Sequence, residues 1–297
     1  MKKWFNRLLI GAGFVAVFGA ALPVAGSYMA DRKTHRVIAV QMAPINLPTD
    51  VRSLERGRYL FASRGCTQCH GNDGAGRVFA SDDSGLSLKS PNITRGDGGV
   101  VGDYQDSDWV RTIRHGVKPN GQPVFIMPSE DYARLTDADV GALAAYAKQL
   151  PPAAGSGAAF ALPVMLKTLY AFGVIKDAAE KIDHTLPPAV PVPEAVSVQH
   201  GRYVAKMCIG CHGPDLAGGK RPGQPPNWPA PAKLTPGEGS ALRRYLNADA
   251  FVAMLRSGKR PDGSGIDRAM PFATLGALSD VDARALYLYL TEAPLAH

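Results

Sequence analysis

The 297-residue sequence predicts a mostly α-helical protein: two tandem copies of one small domain behind an N-terminal transmembrane or signal helix. Three observations carry that expectation. An uncharged run lies near the N-terminus, the second half of the chain repeats the first, and four cysteines fall in two matched pairs, Cys66/Cys69 and Cys208/Cys211.

Lys2, Lys3 and Arg7 precede a stretch from Leu8 to Ala30 that holds no charged residue, and Asp31-Arg32-Lys33 closes it. A cleaved signal peptide has an apolar core of about 7–15 residues. This run is longer and near the roughly 20 residues that cross the hydrocarbon of a bilayer. Gly11, Gly13, Gly19 and Pro23 make it an imperfect helix, and Val24-Ala25-Gly26 is a mediocre cleavage site. Residues 1–30 are therefore expected to be an uncleaved signal anchor with its basic end cytoplasmic, followed by a linker over 31–52. The remainder is exported: an inner-membrane protein with its folded domains in the periplasm.

The repeat is read by laying the chain on itself. Gly57-Arg58-Tyr59 falls on Gly201-Arg202-Tyr203 at an offset of 144, and the offset closes to 142 at the cysteine pairs. At 142, Trp109 falls on Phe251 and Pro119-Asn120-Gly121 on Pro261-Asp262-Gly263; at 143, Met127-Pro128 falls on Met270-Pro271 and Thr136–Asp139 on Ser279–Asp282. Two domains follow, over 53–150 and 195–297, joined by a Pro-rich linker over 151–194.

Each copy reads as three helical patches between loops rich in Gly, Pro and Asn. In the first, Leu54, Tyr59 and Leu60 mark an opening helix that runs into the cysteine pair, and Ser107-Asp108 begins a short helix through Ile113 that stops near Gly116. The last starts at Thr136, whose hydroxyl is placed to cap it with Asp139 three residues on, and ends before two prolines. The second copy repeats the pattern from Val196, from Asn247 and from Ser279 to Leu290, and no strand pattern competes. Tyr59 is expected against Tyr146, and Tyr203 against Tyr289, between first and last helices. Inside the linker, Leu162, Leu166, Leu169 and Tyr170 lie close to one helical face. They predict a helix packed over the two domains, with the membrane surface or a partner subunit as other uses for it.

Each cysteine pair has two residues between and a histidine directly after. Cys-x-x-Cys-His is the haem-attachment signature, and it occurs twice. In Cys66-Thr67-Gln68-Cys69-His70 the sulfurs are expected to form thioethers to haem and His70 to bind iron; Cys208-Ile209-Gly210-Cys211-His212 is expected to do the same with His212. The cofactor call is two covalent haem c groups. Domains of about 100 residues with three short helices bury little by themselves, and a haem would supply the missing core, making these cytochrome c domains.

His/Met ligation is usual in cytochromes c. Met127, the only methionine between the first pair and the end of its domain, lies in a loop before the last helix and is the expected sixth ligand there. In the second copy Met270 has the same loop position, while Met254 reads as core filler and Met207 lies on the wrong side of the pair. His115 is a rival ligand without a counterpart, since Ser257 occupies its place, and His184 and His200 have no copy-to-copy support. Asn92 and Thr94 of Pro91-Asn92-Ile93-Thr94 are candidates for a haem propionate, with Asx and Ser/Thr turns as the alternative.

The net charge of +7 is spread along the chain without a dense basic run or a nucleic-acid motif, so no nucleic-acid partner is expected. With both irons ligated by methionine, no catalytic residue is assigned, and electron transfer is expected in preference to a diheme redox enzyme of peroxidase or thiosulfate dehydrogenase type.

These residues resemble exported diheme cytochromes c related to the cytochrome subunits of membrane-bound bacterial dehydrogenases. The resemblance spans about 53–293 and rests on both Cys-x-x-Cys-His motifs, the Gly-Arg-Tyr before each, Pro91–Thr94 and both Met-Pro loops. It implies tandem cytochrome c folds that pass electrons between a periplasmic dehydrogenase or quinol-oxidising partner, or an oxidase complex, and a respiratory acceptor. Some such subunits carry three haems, whereas this chain has two motifs.

Overall fold

The computed structural model describes residues 22–42, 45–220, 224 and 228–292. Most of the expected anchor lies outside them. Its described part is a helix over residues 22–34, α1. Among the described residues no helix is long and apolar enough to cross a membrane.

The first repeat opens with α2, Val51–Ser63, where the Asp50 carboxylate accepts the Ser53 amide at 2.9 Å. A short helix α3, Cys66–His70, follows at once. Next come α4, Asp106–His115, and a single turn α5, Ser129–Tyr132. The repeat closes with α6, Asp137–Lys148, capped as expected by Thr136 Oγ1 on the Asp139 amide at 3.0 Å. Gly116 ends α4 in the left-handed region at φ +63°, where a residue with a Cβ is strained. The linker holds α7, Val164–Ala171, and α8, Ala178–Lys181.

In the second repeat α9, Val198–Val204, runs through a 3₁₀ turn, Ala205–Cys208, into α10, Ile209–His212. Then follow α11, Ala248–Ser257, capped by Asn247, the turn α12, Phe272–Leu275, and α13, Asp280–Glu292. Helices α2, α4 and α6, and α9, α11 and α13, match the three expected in each repeat.

Three expectations are corrected. A small antiparallel sheet, β1 (Val78–Ser81), β2 (Ser87–Lys89) and β3 (Ala159–Ala161), paired in that order, stands where no strand was foreseen. Its strands of three or four residues are too short to show an alternating pattern. Second, α7 packs over one repeat: Tyr170 meets Phe125 edge-on at 4.8 Å, and Gly26 of α1 lies against Thr168. Third, Tyr59 and Tyr203 do not serve the contact between first and last helices of their own repeats. Glycine does. A Cβ on Gly57 would run into the Ala142 carbonyl and Tyr146, and one on Gly201 into the Ala285 carbonyl and Tyr289. Close crossing of α2 on α6, and of α9 on α13, therefore depends on a missing side chain.

The tyrosines instead exchange between repeats. Tyr59 donates to Asp282 at 2.6 Å, and Tyr203 donates to Asp139 at 2.6 Å. The Ser279 amide donates to Tyr59 Oη at 3.1 Å and the Thr136 amide to Tyr203 Oη at 3.2 Å. Since these residues pair off in the repeat alignment, the two domains face each other across an approximate two-fold axis. Each aspartate also binds a nitrogen side chain from the first helix of its own repeat: Asp139 takes Arg56 through two bonds, at 2.8 and 3.0 Å, and Asp282 takes His200 at 2.7 Å. Asp282 receives in addition Arg64 of the other repeat at 3.0 Å, with both side chains shut away from solvent. Burial alone would raise the pKa of Asp282; Arg64, Tyr59 and His200 outweigh it and hold the carboxyl below its ordinary range.

Candidate haem-attachment sites

The two motifs are entered differently, the second through the 3₁₀ turn Ala205–Cys208 and the first through a glycine turn. From α2 the chain turns at Gly65, φ +88°, so that Cys66 to His70 form little more than one helical turn. On such a turn the two sulfurs and the imidazole lie close together. His70 Nδ1 lies 3.1 Å from the Pro91 carbonyl, and His212 Nδ1 lies 2.7 Å from the Ala232 carbonyl. A carbonyl only accepts, so Nδ1 carries the proton in each ring and Nε2 keeps its lone pair for a metal. Burial also holds His70 below the ordinary histidine pKa, against the opposing Pro91 hydrogen bond, which favours the neutral ligand form.

The loops that present those carbonyls are matched as well. The Gly76 amide donates to the His70 carbonyl at 3.0 Å and the Gly218 amide to the His212 carbonyl at 2.8 Å. Both glycines have positive φ and lie against the segment that supplies the acceptor: Ser90-Pro91 for Gly76, Pro231-Ala232 for Gly218. Leu216, φ +57°, is the one non-glycine with positive φ among the described residues and stands where the first repeat has Gly74.

Cys66 and Cys208 are half-buried, and desolvation pushes both thiols up to about 12, helped by Cys69 in the first site and Asp131 in the second. Cys69 is half-buried and Cys211 exposed.

Met127 packs against the core of the first repeat and Met270 against that of the second. Each begins the same three-residue turn. Pro128 has φ −78°, ψ 60° and Pro271 φ −81°, ψ 73°, with the Ser129 amide donating to the Met127 carbonyl at 2.8 Å and the Phe272 amide to Met270 at 2.9 Å. These are inverse γ-turns. Met254, 4 % exposed, is core filler as expected.

The remaining candidates resolve into structural roles. Asn92 is fully buried: its Oδ1 accepts from the Thr94 amide and hydroxyl, and its Nδ2 donates to the Asp97 and Ala153 carbonyls. That uses all four of its bonds, and the Thr94 hydroxyl is engaged with Ala153 and Gly96, so the propionate role is withdrawn in favour of an Asx turn. His115 is buried and is hydrogen-bonded to His184, Nδ1 to Nδ1 at 3.0 Å. His200 occupies the place of Arg56 at the domain interface. Missed by the sequence reading were the Pro91 and Ala232 carbonyls, which as backbone groups leave little mark on residue type, and the interface acids Asp139 and Asp282.

Several buried polar atoms near the two sites lack a partner among the described residues, Asp131 Oδ1, Thr274 Oγ1 and Trp109 Nε1 among them. Trp109 is 4 % exposed, and its Nε1–H finds no acceptor in the protein, although such groups are normally satisfied when buried. It belongs to the same apolar cluster as Cys66 and Met127.

A family model described as cytochrome C oxidase, cbb3-type, subunit III matches residues 52–146 and again residues 198–290. The chain belongs to this family of cytochrome c domains. Haem c is its cofactor class. Among curated proteins the chain is similar to the fructose dehydrogenase cytochrome subunit of Gluconobacter japonicus, 27% identical over 82% of this chain and 53% of that one. It is also similar to the gluconate 2-dehydrogenase cytochrome c subunit of Pantoea cypripedii, 30% identical over 54% of this chain and 38% of that one. A third is the quinone-dependent alcohol dehydrogenase cytochrome c subunit of Gluconacetobacter polyoxogenes, 33% identical over 33% of this chain and 22% of that one. The chain thus spans about half the length of the first relative and less of the others. The expected likeness to cytochrome subunits of bacterial dehydrogenases is borne out.

Proposed function

We propose that the chain is an exported diheme c-type cytochrome, anchored to the inner membrane by residues 1–30, that relays electrons from a membrane-associated dehydrogenase or quinol-oxidising partner to a respiratory acceptor. The observation that supports it best is the equivalence of the two sites. Each has a Cys-x-x-Cys-His turn, a histidine whose Nδ1–H is tied to a loop carbonyl, and a Met-Pro turn beside the core.

A haem fits these residues. Cys66 with Cys69, and Cys208 with Cys211, would hold the two groups through thioethers, His70 and His212 would bind iron through Nε2, and Met127 and Met270 would take the sixth positions. The unsatisfied Trp109 N–H would gain an acceptor in a propionate. Bound haem supplies a one-electron couple, and methionine as the second axial ligand places it higher than two histidines would. The protein's part is to fix ligand orientation through the Pro91 and Ala232 carbonyls and to keep water from the metal.

Packing between the repeats favours internal transfer. The α5 turn, just after Met127, packs on α10 of the second site, and α12, just after Met270, packs on α3 of the first. Each attachment turn is therefore covered by the ligand loop of the other repeat.

Redox-titrated optical spectroscopy of the membrane-extracted protein tests the reading. Pyridine haemochrome analysis should give two haems per chain, and the weak near-infrared band of methionine-ligated ferric haem should appear with the intensity of two. A high-spin or bis-histidine component would refute the ligand assignment.

A further inference from the structure

The two repeats carry the same loop hairpin between the second long helix and the methionine, and they treat it in opposite ways. In the first, Lys118 N donates to the Gln122 carbonyl at 2.8 Å and Gly121 N to the Lys118 carbonyl at 2.9 Å; in the second, Arg260 N donates to Ser264 at 2.8 Å and Gly263 N to Arg260 at 2.9 Å. The bridges Val117–Pro123 and Lys259–Gly265 complete the match.

The hairpin of the first repeat is covered. Val37 lies on Gly121, the Ile38 amide donates to the Gly121 carbonyl at 2.8 Å, and Phe125 stacks on Phe160 and Tyr170 of the linker. Gly116 at its base packs on Ala178 of α8. Among the described residues nothing comparable reaches the second hairpin. Lys259 and residues 261–265 are exposed, and a Cβ on Gly263 or Gly265 would meet no atom within 4 Å.

The chemistry differs too. From Val117 to Met127 the first hairpin has Lys118 as its one charged residue, whereas from Lys259 to Met270 the second has Lys259, Arg260 and Arg268 against Asp262 and Asp267. Arg243 and Arg244 add to this side, since Arg244 acts with Arg260 on both Asp262 and Tyr245. Among the described residues Arg243, Arg244, Lys259 and Arg268 form no ion pair. Leu246, two residues after Arg244, is 92% exposed.

We propose that this face, centred on Lys259–Arg268 with Arg243, Arg244 and Leu246, docks an acidic redox protein, so that electrons enter or leave the chain through the second repeat. Arg243 and Arg244 raise the face to a net excess of positive charge over Asp262 and Asp267, and such an excess beside a redox centre steers an oppositely charged partner and raises its on-rate. A small, weakly bound patch of this kind suits transient electron-transfer encounters. The membrane is the weaker occupant, because the described end of the N-terminal helix packs with α7 on the first repeat. The inference rests on the reading that Cys208 to His212 and Met270 hold a haem.

The test uses the full holoprotein in detergent, isotope-labelled for NMR, with hexacyanochromate(III), a redox-inert paramagnetic trianion, as the probe. It should broaden the amides of 259–265 and leave 117–123 sharp. In parallel, the second-order rate of reduction by hexacyanoferrate(II) at low ionic strength should fall about tenfold in a Lys259→Glu/Arg260→Glu/Arg268→Glu variant and lose most of its salt dependence, while Lys118→Glu changes it less than twofold. Broadening at both hairpins or at neither, or equal rate losses in the two variants, would overturn the proposal. So would loss of flotation with anionic-lipid vesicles in the triple variant alone, which would give the face to the membrane. A haem count of one per chain would instead bring down the diheme reading, and it is measured separately.

Discussion

Replacing Asp282 by Asn tests whether the two repeats are held together by one buried charge. In the native protein its carboxylate is fully shielded and faces an Arg64 side chain that is 3% exposed, together with Tyr59 and His200. Asparagine keeps the shape, but its single carbonyl oxygen can replace only the oxygen that Tyr59 uses or the one that faces His200, and it leaves the guanidinium without a counter-charge. Stranding one partner of a buried pair costs about 3–5 kcal/mol. The symmetry-related Asp139→Asn is the internal control, because Arg56 is 23% exposed and has Glu194 at 3.4 Å as a second partner. Its loss should be about 1–2 kcal/mol. Urea unfolding of the holoprotein, followed by far-ultraviolet circular dichroism, gives both values. Adding Arg64→Met to Asp282→Asn should recover about 2 kcal/mol, since the stranded charge is gone. A loss at Asp282 no larger than that at Asp139, or no recovery in the double variant, would refute the argument that Arg64 depends on this carboxylate.

Met127→His and Met270→His should each lower the potential of one haem and leave both attached; unchanged potentials in a spectroelectrochemical titration would remove the ligand assignment. Gly57→Ala and Gly201→Ala should each destabilise the helix crossing of their own repeat by about 1–3 kcal/mol or more, because the added methyl meets backbone on the facing helix; equilibrium unfolding reads this out. His115, held down to about 4 by burial first and then by His184 and the neighbouring arginines, should make the fold pH-sensitive. With its folded pKa below the unfolded value, its stabilisation is present above about pH 6.5 and is lost as the pH falls towards 4, by roughly 2–3 kcal/mol. His115→Gln should flatten that part of the stability profile, and an unchanged slope would count against it.

Helix ends were the most legible part of the chain, since Thr136 with Asp139, Asn247 and Gly116 each act within a few residues of themselves. The haem-attachment turns and Met-Pro loops were legible for the same reason. What escaped depends on partners distant in sequence. Gly57 and Tyr59 sit two residues apart, about 200° around a helix, so when the glycine faces α6 the tyrosine must face away. Placing Tyr59 against Tyr146 was the error, since the glycine takes that face. His200 looked unsupported because no histidine stands at its matching place in the first repeat, yet Arg56 does, at the same offset that relates Gly57 to Gly201. A comparison of charge type in place of residue identity would have found it. The β-sheet could not be seen locally, because β3 is contributed by the linker 70 residues beyond β2.

That strand has a consequence for where one domain stops. Sequence repetition marks the first unit as closing near Leu150, yet the chain beyond it supplies the Ala153 carbonyl to Asn92, β3 to β2 at Ser87–Lys89, and Phe160 and Tyr170 to Phe125. The ancestral module and the folding unit therefore have different lengths. A truncation designed on the duplicated segment would strip the first domain of its outer wall, whereas one ending after Lys181 would carry that wall with it.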